Sequence, residues 1–278
     1  MKLTVLVDNN TNIEPYFLAE LGLSFLIEDE DVKVLFDTGF SNIFIRNAQK
    51  MGHQLINLDF IALSHGHWDH TWGLEPLMKF YTEHQIEKTL FKRPTIIAHS
   101  QTFVSVSADW SNEIGSLMSE NKLSKHFKLS LSESPQKLSD RLIFLGQIPR
   151  KNNFESLLPF GYKDGMDCKD DVPEDSALVY KSSRGLVIIT GCSHSGICNI
   201  IEYAKNVCKE DRVIDIIGGL HLLEPSSKQL EGTLSYLKHL APECVRACHC
   251  TDLQSKIALS NVVDLKEVGV GLTINYGK

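Results

Sequence analysis

The sequence predicts an α/β fold in which two β-sheets pack together and helices cover their outer faces, a four-layer αββα sandwich. Short apolar runs that end in turns alternate with longer amphipathic segments through most of the chain. This strand-before-helix order occurs in the first part of the chain and again after Ser176, which suits two packed sheets with helices outside. The 278 residues, of which 42% are hydrophobic, are sufficient for one large domain that spans residues 1–278.

The first part of the chain carries most of the strands predicted for one sheet. Alternating or β-branched apolar residues indicate strands, and apolar residues spaced three and four positions apart indicate helices. An acidic turn at residues 29–31 joins two of the strands, and Gly52 ends the first helix. The predicted strands are 3–7, 22–28, 32–37, 60–63 and 94–98, and the predicted helices are 41–51 and 72–81.

Residues 101–171 show weaker periodicity than the rest of the chain. Serine, asparagine, lysine and glutamate are frequent there, and only residues 141–145 are predicted to form a strand. The polar segment 163–171 is predicted to be a loop. Long irregular insertions in compact domains are usually functional, so we expect residues 101–171 to form a cap that shapes a substrate pocket.

Regular alternation of strands and helices returns after Ser176. Residues 177–181 and 186–190 are predicted to pair as a hairpin across a Ser-Ser-Arg-Gly turn. No internal repeat or low-complexity linker interrupts this part of the chain. The remaining predicted elements are strands at 213–217, 245–247 and 264–270 and helices at 199–208, 227–240 and 252–259.

The overall composition argues against several classes of protein. A net charge of −7 and an isoelectric point near 5.9 do not suit a nucleic-acid-binding surface, which needs a basic excess. No apolar run approaches the ~20 residues of a membrane span, and the N-terminal apolar run is too short for a signal peptide. Seven cysteines, an odd number, do not suit a secreted disulfide framework, so we expect a cytoplasmic protein.

A histidine-rich segment directly follows one of the predicted strands. Three of the chain's 11 histidines and one aspartate lie within the six residues His65-Gly66-His67-Trp68-Asp69-His70. Imidazoles and carboxylates are ligands that zinc and similar divalent cations prefer. His65 and His67 can bind one ion while Asp69 and His70 turn toward a second. The segment therefore predicts a metal site at the end of this strand.

Further side chains that can bind metals follow three later predicted strands. Cys192 and His194 follow the strand at 186–190, and His221 and His249 follow the next two. The spacings of 27 residues (194 to 221) and 28 residues (221 to 249) each equal one strand–helix unit, so these loops should recur along one edge. A structural role remains the alternative for each of them, and it is favoured for His99, because strand-end histidines and buried cysteines are often structural.

These segments resemble the signature of the metallo-β-lactamase superfamily. The motif His65-x-His67-x-Asp69-His70 follows an earlier Asp37-Thr38-Gly39, as it does in that superfamily. Within the superfamily the chain is similar to metal-dependent hydrolases often labelled 7,8-dihydropterin-6-yl-methyl-4-(β-D-ribofuranosyl)aminobenzene 5'-phosphate synthase. The resemblance covers nearly the whole chain and implies the metallo-β-lactamase fold. It also rests on the segments Gly146–Arg150 with Phe154-Glu155, Thr190–Gly196 and Gly218–Leu222.

The resemblance implies a role for Asp37 and exposes two departures. In the superfamily this aspartate orients the metal loop and its ligands through hydrogen bonds. The position after Thr-Gly is usually a bridging aspartate, but here it is Cys192. The usual histidine of a Gly-His-Thr segment is missing, and residues 172–175 stand in its place. The third ligand of the first ion must therefore come from His221, His194 or Asp175.

We expect the chain to hold two divalent metal ions, with zinc favoured and manganese and iron as alternatives. Two ions lower the pKa of a bound water toward ~7 and polarise the substrate. Asp69 is also the candidate catalytic base, because a carboxylate can accept the proton of that water. The expected ligands of one ion are His65, His67 and a later histidine, with His221 favoured; those of the other are Asp69, His70 and His249, with Cys192 or His194 at or between them.

Three residues are candidates for substrate contact. Arg150 carries a guanidinium that suits a phosphate or carboxylate, although a plain surface arginine is an equal alternative. Glu155 lies in the same part of the expected cap. Trp72 lies where the metal loop enters the next helix, whose N-terminal amides would point toward the metals.

The resulting hypothesis is a dinuclear metal-dependent hydrolase that uses a metal-bound hydroxide. The expected substrate is a small anionic metabolite, a phosphoester, ester or lactone, and neither nucleic acid nor membrane is an expected partner. One alternative is a pterin-linked condensing synthase or transferase at the same metal site. Another is an iron–sulfur or di-iron redox protein, although the chain has no C-x₂-C-x₂-C run. Homodimer formation is left open.

Overall fold

The computed structural model describes residues 1–89, 92–156, 159–164 and 169–277. Within these ranges the helices are α1 (Ile43–Lys50), α2 (Trp68–Thr71), α3 (Leu74–Ile86), α4 (Glu120–Leu123), α5 (Ile197–Cys208), α6 (Ser227–Leu240) and α7 (Leu253–Ser260). The strands are β1 (Lys2–Val7), β2 (Ser24–Asp29), β3 (Val32–Phe36), β4 (Phe60–Ala62), β5 (Thr95–Ala98), β6 (Val106–Ser107), β7 (Lys128–Leu131), β8 (Gln136–Lys137), β9 (Leu142–Phe144), β10 (Tyr162–Lys163), β11 (Ala177–Ser182), β12 (Gly185–Thr190), β13 (Val213–Gly219), β14 (Cys244–Cys248) and β15 (Thr273–Asn275).

Two mixed sheets form the centre of the molecule. The first has the strand order β15-β1-β2-β3-β4-β5-β7, and its strands from β3 to β7 run parallel. The second has the order β14-β13-β12-β11-β9-β8, and β12, β13 and β14 run parallel. The parallel part of each sheet is built from strands joined through helices, which is the connection that parallel strands require.

Three apolar clusters separate four layers. The cluster between the sheets contains side chains of both, such as Phe25 and Phe36 facing Phe144 and Tyr180. A second cluster packs the outer face of the first sheet against α1 and α3. A third packs the outer face of the second sheet against α5, α6 and α7. The four-layer αββα sandwich predicted from the sequence is therefore confirmed.

Strand register brings the loops of interest together. In the first sheet Phe36 pairs with Ala62, so the residues that follow each strand, Asp37 and Ser64, become neighbours. In the second sheet Gly219 pairs with Cys248, which places the loops after β13 and β14 side by side. Gly218 has a φ of +131°, and a Cβ there would lie 2.1 Å from the carbonyl oxygen of Thr190, so only glycine allows β13 to approach β12 so closely.

Several sequence-based boundaries are corrected by the structure. Residues 264–270, predicted as the strand that closes a sheet, contribute only isolated bridges, and β15 pairs with β1 instead. The predicted cap 101–171 is only partly a cap, because β7 belongs to the first sheet and β8 and β9 to the second. Of these, β9 corresponds to the predicted strand 141–145, whereas β7 and β8 are four and two residues long, too short for periodicity to reveal them. Residues 157–158 and 165–168 of the predicted cap, and hence part of its predicted loop 163–171, lie outside the described ranges.

Among the helices of the described ranges, none combines the length and the apolar character that crossing a bilayer requires.

Candidate metal centre

The histidine-rich loop follows the end of β4, and hydrogen bonds to Asp37 hold it in place. One carboxylate oxygen of Asp37 accepts the backbone N–H of Ser64, and the other accepts the Ser64 hydroxyl, each at 2.7 Å. The second oxygen also accepts Nδ1–H of His70 at 2.7 Å. These bonds direct Nε2 of His70 into the centre of the molecule. The contacts are those that a residue orienting the loop and its ligands would make, as the resemblance implies.

The loops after β12, β13 and β14 face the histidine-rich loop from the second sheet. Nε2 of His194 lies 3.1 Å from Nδ1 of His67. Nε2 of His70 lies 3.2 Å from Sγ of Cys192 and 3.3 Å from Nε2 of His249. The expected recurrence of these loops along one edge therefore brings side chains from both sheets into contact.

Four of these loop residues have left-handed backbone conformations. The φ angles are +57° at Asp37, +62° at Ser193, +52° at His221 and +51° at His249. Such conformations are unfavourable for residues other than glycine, although aspartate and histidine adopt them more readily than most. Their concentration at one place in the fold is typical of functional sites.

Two groups of side chains in the described part of the chain offer ligand atoms within 4.8 Å of one another. One group is His65, Cys192 and His194, and the other is Asp69, His70, Cys192 and His249. Cys192 belongs to both groups, so its thiol lies between them. His67 adjoins the first group through His194. The arrangement fits two neighbouring cations with a shared sulfur ligand.

Three buried ring nitrogens of histidines around this centre have no hydrogen-bond partner among the described residues. They are Nε2 of His65, Nε2 of His67 and Nδ1 of His221. Leaving a buried polar atom unpaired costs about 1–3 kcal/mol, so a cluster of such atoms calls for an explanation. A metal ion bound by these nitrogens would remove that cost. The donor set of imidazole, thiolate and carboxylate therefore fits a divalent metal.

Electrostatics keep most of the histidines in the form that binds metals. Burial lowers the pKa of His67 to about 3 and holds the pKa values of His65 and His194 well below their usual range. Burial disfavours ionisation of Asp69, but the neighbouring His70 and His249 outweigh it and lower the pKa of this carboxyl. Neutral imidazoles and an ionised carboxylate are the protonation states that coordination requires.

His249 differs from the other histidines because Asp69 lies beside it. Oδ2 of Asp69 is 3.2 Å from Nε2 of His249, and this contact overcomes the effect of burial and raises the histidine's pKa to about 9. Nδ1 of His249 contacts Oδ1 of Asn9 at 2.9 Å. A cation bound by Asp69 and His249 must therefore displace a proton from the imidazole.

Cys250 is a second thiol beside the centre. Its Sγ accepts the backbone N–H of His221 at 3.3 Å and lies 3.4 Å from the carbonyl oxygen of Cys192. Burial opposes ionisation, but hydrogen bonds from Cys192 and His221 lower the pKa of Cys250 well below its usual value. Its position ties the loop of Cys192 to the loop of His221.

A cavity of about 340 Å³ opens onto the two ligand groups. Aromatic and aliphatic side chains form its walls, and lysine and arginine are absent from the described residues that line it. The sequence offers no signal for most of these wall residues, because they come from separate loops. The wall residues that were not predicted are Asn9, Leu21, Trp68, Trp110, Ile114, Phe160, Leu223 and Cys250.

Comparison with known proteins places the chain in a family. Residues 19–96 match the family model of the metallo-beta-lactamase superfamily. An uncharacterised protein of Methanocaldococcus jannaschii is 33% identical over 260 residues, which are 93% of each chain. The chain belongs to the metallo-beta-lactamase superfamily. This finding confirms the resemblance seen in the sequence.

Two further similarities refine the position within the superfamily. The 7,8-dihydropterin-6-methyl-4-(beta-D-ribofuranosyl)-aminobenzene-5'-phosphate synthase of Methanocaldococcus jannaschii is 29% identical over 271 residues, covering 92% of this chain and 89% of the synthase. The crystal structure of a metal-dependent hydrolase of the beta-lactamase superfamily covers 100% of both chains at 25% identity, with a TM-score of 0.83. A hydrolase of the superfamily and a synthase thus both resemble this chain over nearly its full length.

The third histidine of the first ligand group differs from the superfamily-based expectation. His221 was favoured, but His194 belongs to that group, whereas His221 is absent from both groups found among the described residues. The ring centroids of His221 and His194 lie 4.3 Å apart, and both side chains line the metal-facing cavity. Asp175, the other alternative, uses Oδ2 to accept the N–H and hydroxyl of Ser195. The geometry therefore favours His194 and gives Asp175 the role of fixing the loop that carries it.

The three predicted substrate-contact residues do not line the metal-facing cavity. Arg150 donates to the carbonyl oxygens of Asp171 and Val172, the latter at 2.8 Å, and pairs with the Asp171 carboxylate at 3.3 Å. Glu155 accepts the N–H of Cys198 at 3.0 Å, which caps the start of α5. Trp72 donates Nε1–H to the carbonyl oxygen of Gly115 at 2.8 Å. In this superfamily member these side chains hold loops in place, and Trp68 rather than Trp72 faces the cavity.

Proposed function

We propose that this protein is a dinuclear metal-dependent hydrolase of small metabolites. The observation that carries the proposal is the pair of ligand groups that share Cys192 and border a cavity, together with unpartnered nitrogens directed at the same centre. The similarity to a metal-dependent hydrolase over the whole chain supports it. The substrate would be a phosphoester, an ester or a lactone.

Zinc is the metal that suits this centre best. Imidazole, thiolate and carboxylate ligands are the set that zinc prefers, whereas magnesium and calcium prefer oxygen ligands. His65, His194 and Cys192, with His67 beside them, would hold one ion. Asp69, His70 and His249 would hold the other, with Cys192 shared. The negative charge of an anionic substrate would be matched by the metals, since the described residues of the cavity wall include no lysine or arginine.

The metals, when bound, supply Lewis acidity that activates a water molecule and polarises the scissile group. The protein's own residues position and protect this reaction. Asp37 fixes the orientation of His70 through Nδ1, and the carboxylate of Asp69 would accept the proton of the attacking water. Trp68, Trp110 and Phe160 line the cavity and would restrict the access of bulk water to the reacting atoms.

A pterin-linked condensation is the second candidate. It is favoured by the synthase similarity, which covers 92% of this chain. The aromatic walls of the cavity would also accept a flat ring by stacking. An iron–sulfur centre is not supported, because each ligand group found in the described residues contains a single cysteine.

Turnover by zinc-loaded protein tests the proposal. We expect hydrolysis of at least one member of a panel of phosphodiesters, carboxylic esters and lactones. His67→Ala should reduce that rate roughly a thousandfold, equivalent to about 4 kcal/mol of transition-state stabilisation, because it removes a nitrogen that faces the centre. His239→Ala, which alters an exposed histidine on α6, is the matched control and should retain full activity.

Two outcomes would contradict the hydrolase assignment. One is hydrolysis that persists unchanged in His67→Ala. The other is the absence of any hydrolysis from zinc-loaded protein that instead joins a pterin alcohol derivative to an aromatic amine, which would favour the condensation.

A further inference from the structure

Phe160 lines three separate cavities at the mouth of the metal centre. The first is the metal-facing cavity of about 340 Å³. The second, of about 470 Å³, extends toward the start of α6 and is called the side cavity below; Phe154, Pro159, Val172, Leu223 and Pro225 supply its apolar wall. The third, of about 270 Å³, lies beside Trp110. Phe160 therefore stands where these three spaces meet.

The ring of Phe160 packs directly on the candidate metal ligands. Its centroid lies 5.0 Å from that of His67, 5.2 Å from that of His194 and 5.9 Å from that of His221. His194, His221 and Leu223 also line both the metal-facing cavity and the side cavity. The ring is thus a wall between two spaces that border the same imidazoles.

The backbone around Phe160 is fixed by hydrogen bonds. Its N–H donates to the carbonyl oxygen of Asp170, and the N–H of Asp170 donates to that of Gly161, both at 2.7 Å. Gly161 has a φ of +122°, and a Cβ there would lie 2.7 Å from the carbonyl oxygen of Ser107. Strand β10 follows immediately and pairs with β6. These constraints hold the backbone of Phe160 in one position.

A buried ion-pair network holds this short ribbon against the domain. Nζ of Lys163, the last residue of β10, lies 3.1 Å from carboxylate oxygens of both Asp170 and Glu174. It also donates to Oε1 of Gln101 at 2.8 Å. All three charged side chains are at least nine-tenths buried. The folded cap therefore fixes the backbone of Phe160. Because this residue is 40% exposed, we expect the fold to tolerate substitution of its ring.

We infer that Phe160 determines substrate length by separating the metal-facing cavity from the side cavity. The inference rests on the proposed function, because the metal centre anchors the reacting group. In the wild-type protein a substrate fills the metal-facing cavity and stops at the ring. Removal of the ring joins the two spaces, and the apolar wall of the side cavity then accepts an alkyl extension.

The test uses a homologous series of alkylphosphonates, from ethyl to dodecyl, that bind through the zinc ions and are not hydrolysed. Calorimetry on the zinc-loaded full chain gives the affinity of each. For wild type we expect affinity to rise with chain length and then to level off. For Phe160→Ala it should continue to rise by up to about fourfold for each additional buried methylene. The dodecyl-to-ethyl affinity ratio of the variant should exceed the wild-type ratio by at least about tenfold.

Tyr162→Ala is the matched control, because it removes a partly exposed ring from the same ribbon but that ring lines only the cavity beside Trp110. It should show the wild-type dependence on chain length. Phe160→Leu retains an apolar side chain and should give an intermediate ratio, which preserves the test if the alanine variant does not fold.

The results separate the inference from the proposal beneath it. Equal length dependence in wild type, Phe160→Ala and Phe160→Leu, with zinc-dependent binding in all three, would overturn the inference and leave the hydrolase proposal intact. Binding that does not depend on zinc in any of the proteins would contradict the proposed function and the inference with it.

Discussion

Two buried polar clusters lie close together in this molecule, and they differ in whether their polar atoms find partners within the chain. The metal-facing cluster, defined by His65, His67, His194 and His221 with their neighbours, directs unpartnered nitrogens toward a cavity. The cap anchor, defined by Lys163, Asp170, Glu174 and Gln101, pairs its buried cation with two carboxylates.

The difference shows how a functional cluster can be told from a structural one. In the cap anchor, opposite charges within the chain offset the cost of burial, so the network holds β10 without help. In the metal-facing cluster, burial lowers the pKa values of His65, His67 and His194, and Nε2 of His65 and of His67 have no hydrogen-bond partner among the described residues. A bound cation would supply the missing partner. Both clusters bury polar groups. Only the metal-facing cluster contains buried nitrogen atoms without a partner, and this difference indicates its function.

Removal of the metal should produce the largest effect on stability. If metal is present at about a thousand times its dissociation constant, binding stabilises the folded state by about 4 kcal/mol. A strong chelator should therefore lower Tm by roughly 10 °C, as measured by calorimetry. His67→Ala should respond less to the same chelator. If the chelator does not change the Tm of the zinc-loaded wild type, the metal-facing cluster, like the cap anchor, needs no metal for its stability.

The cap anchor should make the free energy of unfolding depend on pH. Burial raises the pKa of Glu174 from its ordinary 4.5 to about 7, even though Lys163 opposes the shift. The folded state therefore binds the proton more tightly than the unfolded state. The stabilisation is fully present below pH 4.5 and is lost as pH rises through about 7.

Glu174→Gln should abolish this part of the pH dependence. Denaturant titrations between pH 5 and pH 8 should show the wild type losing up to about 3 kcal/mol more than the variant. Metal content at fixed pH should be the same in both proteins. Parallel stability curves would show that the carboxyl of Glu174 does not titrate in this range and that the anchor is fully ionised throughout.

A smaller effect, on metal affinity, is expected from substitution of Asp37, which supports the metal loop. Asp37→Asn replaces one accepting oxygen with an N–H donor, although both oxygens now accept hydrogen bonds. Metal affinity should fall ten- to a hundredfold in competition with a chromophoric chelator, the usual loss when a residue that supports a ligand is altered. Asp31→Asn, in an exposed turn, should leave affinity unchanged. Unchanged metal affinity in Asp37→Asn would show that His70 binds metal without the hydrogen bond to the Asp37 carboxylate.

The sequence predicted the parts of the fold that local patterns determine. Apolar runs located most of the long strands and helices, and the histidine-rich segment after β4 located the metal loop. The edge strands β7 and β8 were missed because they are short and are stabilised by their neighbours rather than by their own pattern. Residues 264–270 were apolar enough for a strand but form only isolated bridges.

The site was harder to predict because distant contacts assemble it. His194 and His221 are both histidines after adjacent strands, and only the packed structure shows that His194 meets His67. Arg150 and Glu155 carry charges that suggested substrate contact, yet a loop backbone and a helix start use those charges. Phe160 and Trp110 have no local motif, because their role depends on where the cap places them.

The central claim is that Cys192 lies between two metal ions, one held by the first ligand group and one by the second. Anomalous scattering at the zinc edge from crystals of the zinc-loaded protein tests it most directly. We predict two peaks, one beside His65 and His194 and one beside Asp69, His70 and His249, each adjacent to the sulfur of Cys192. A single peak, or two peaks of which neither adjoins that sulfur, would contradict the claim.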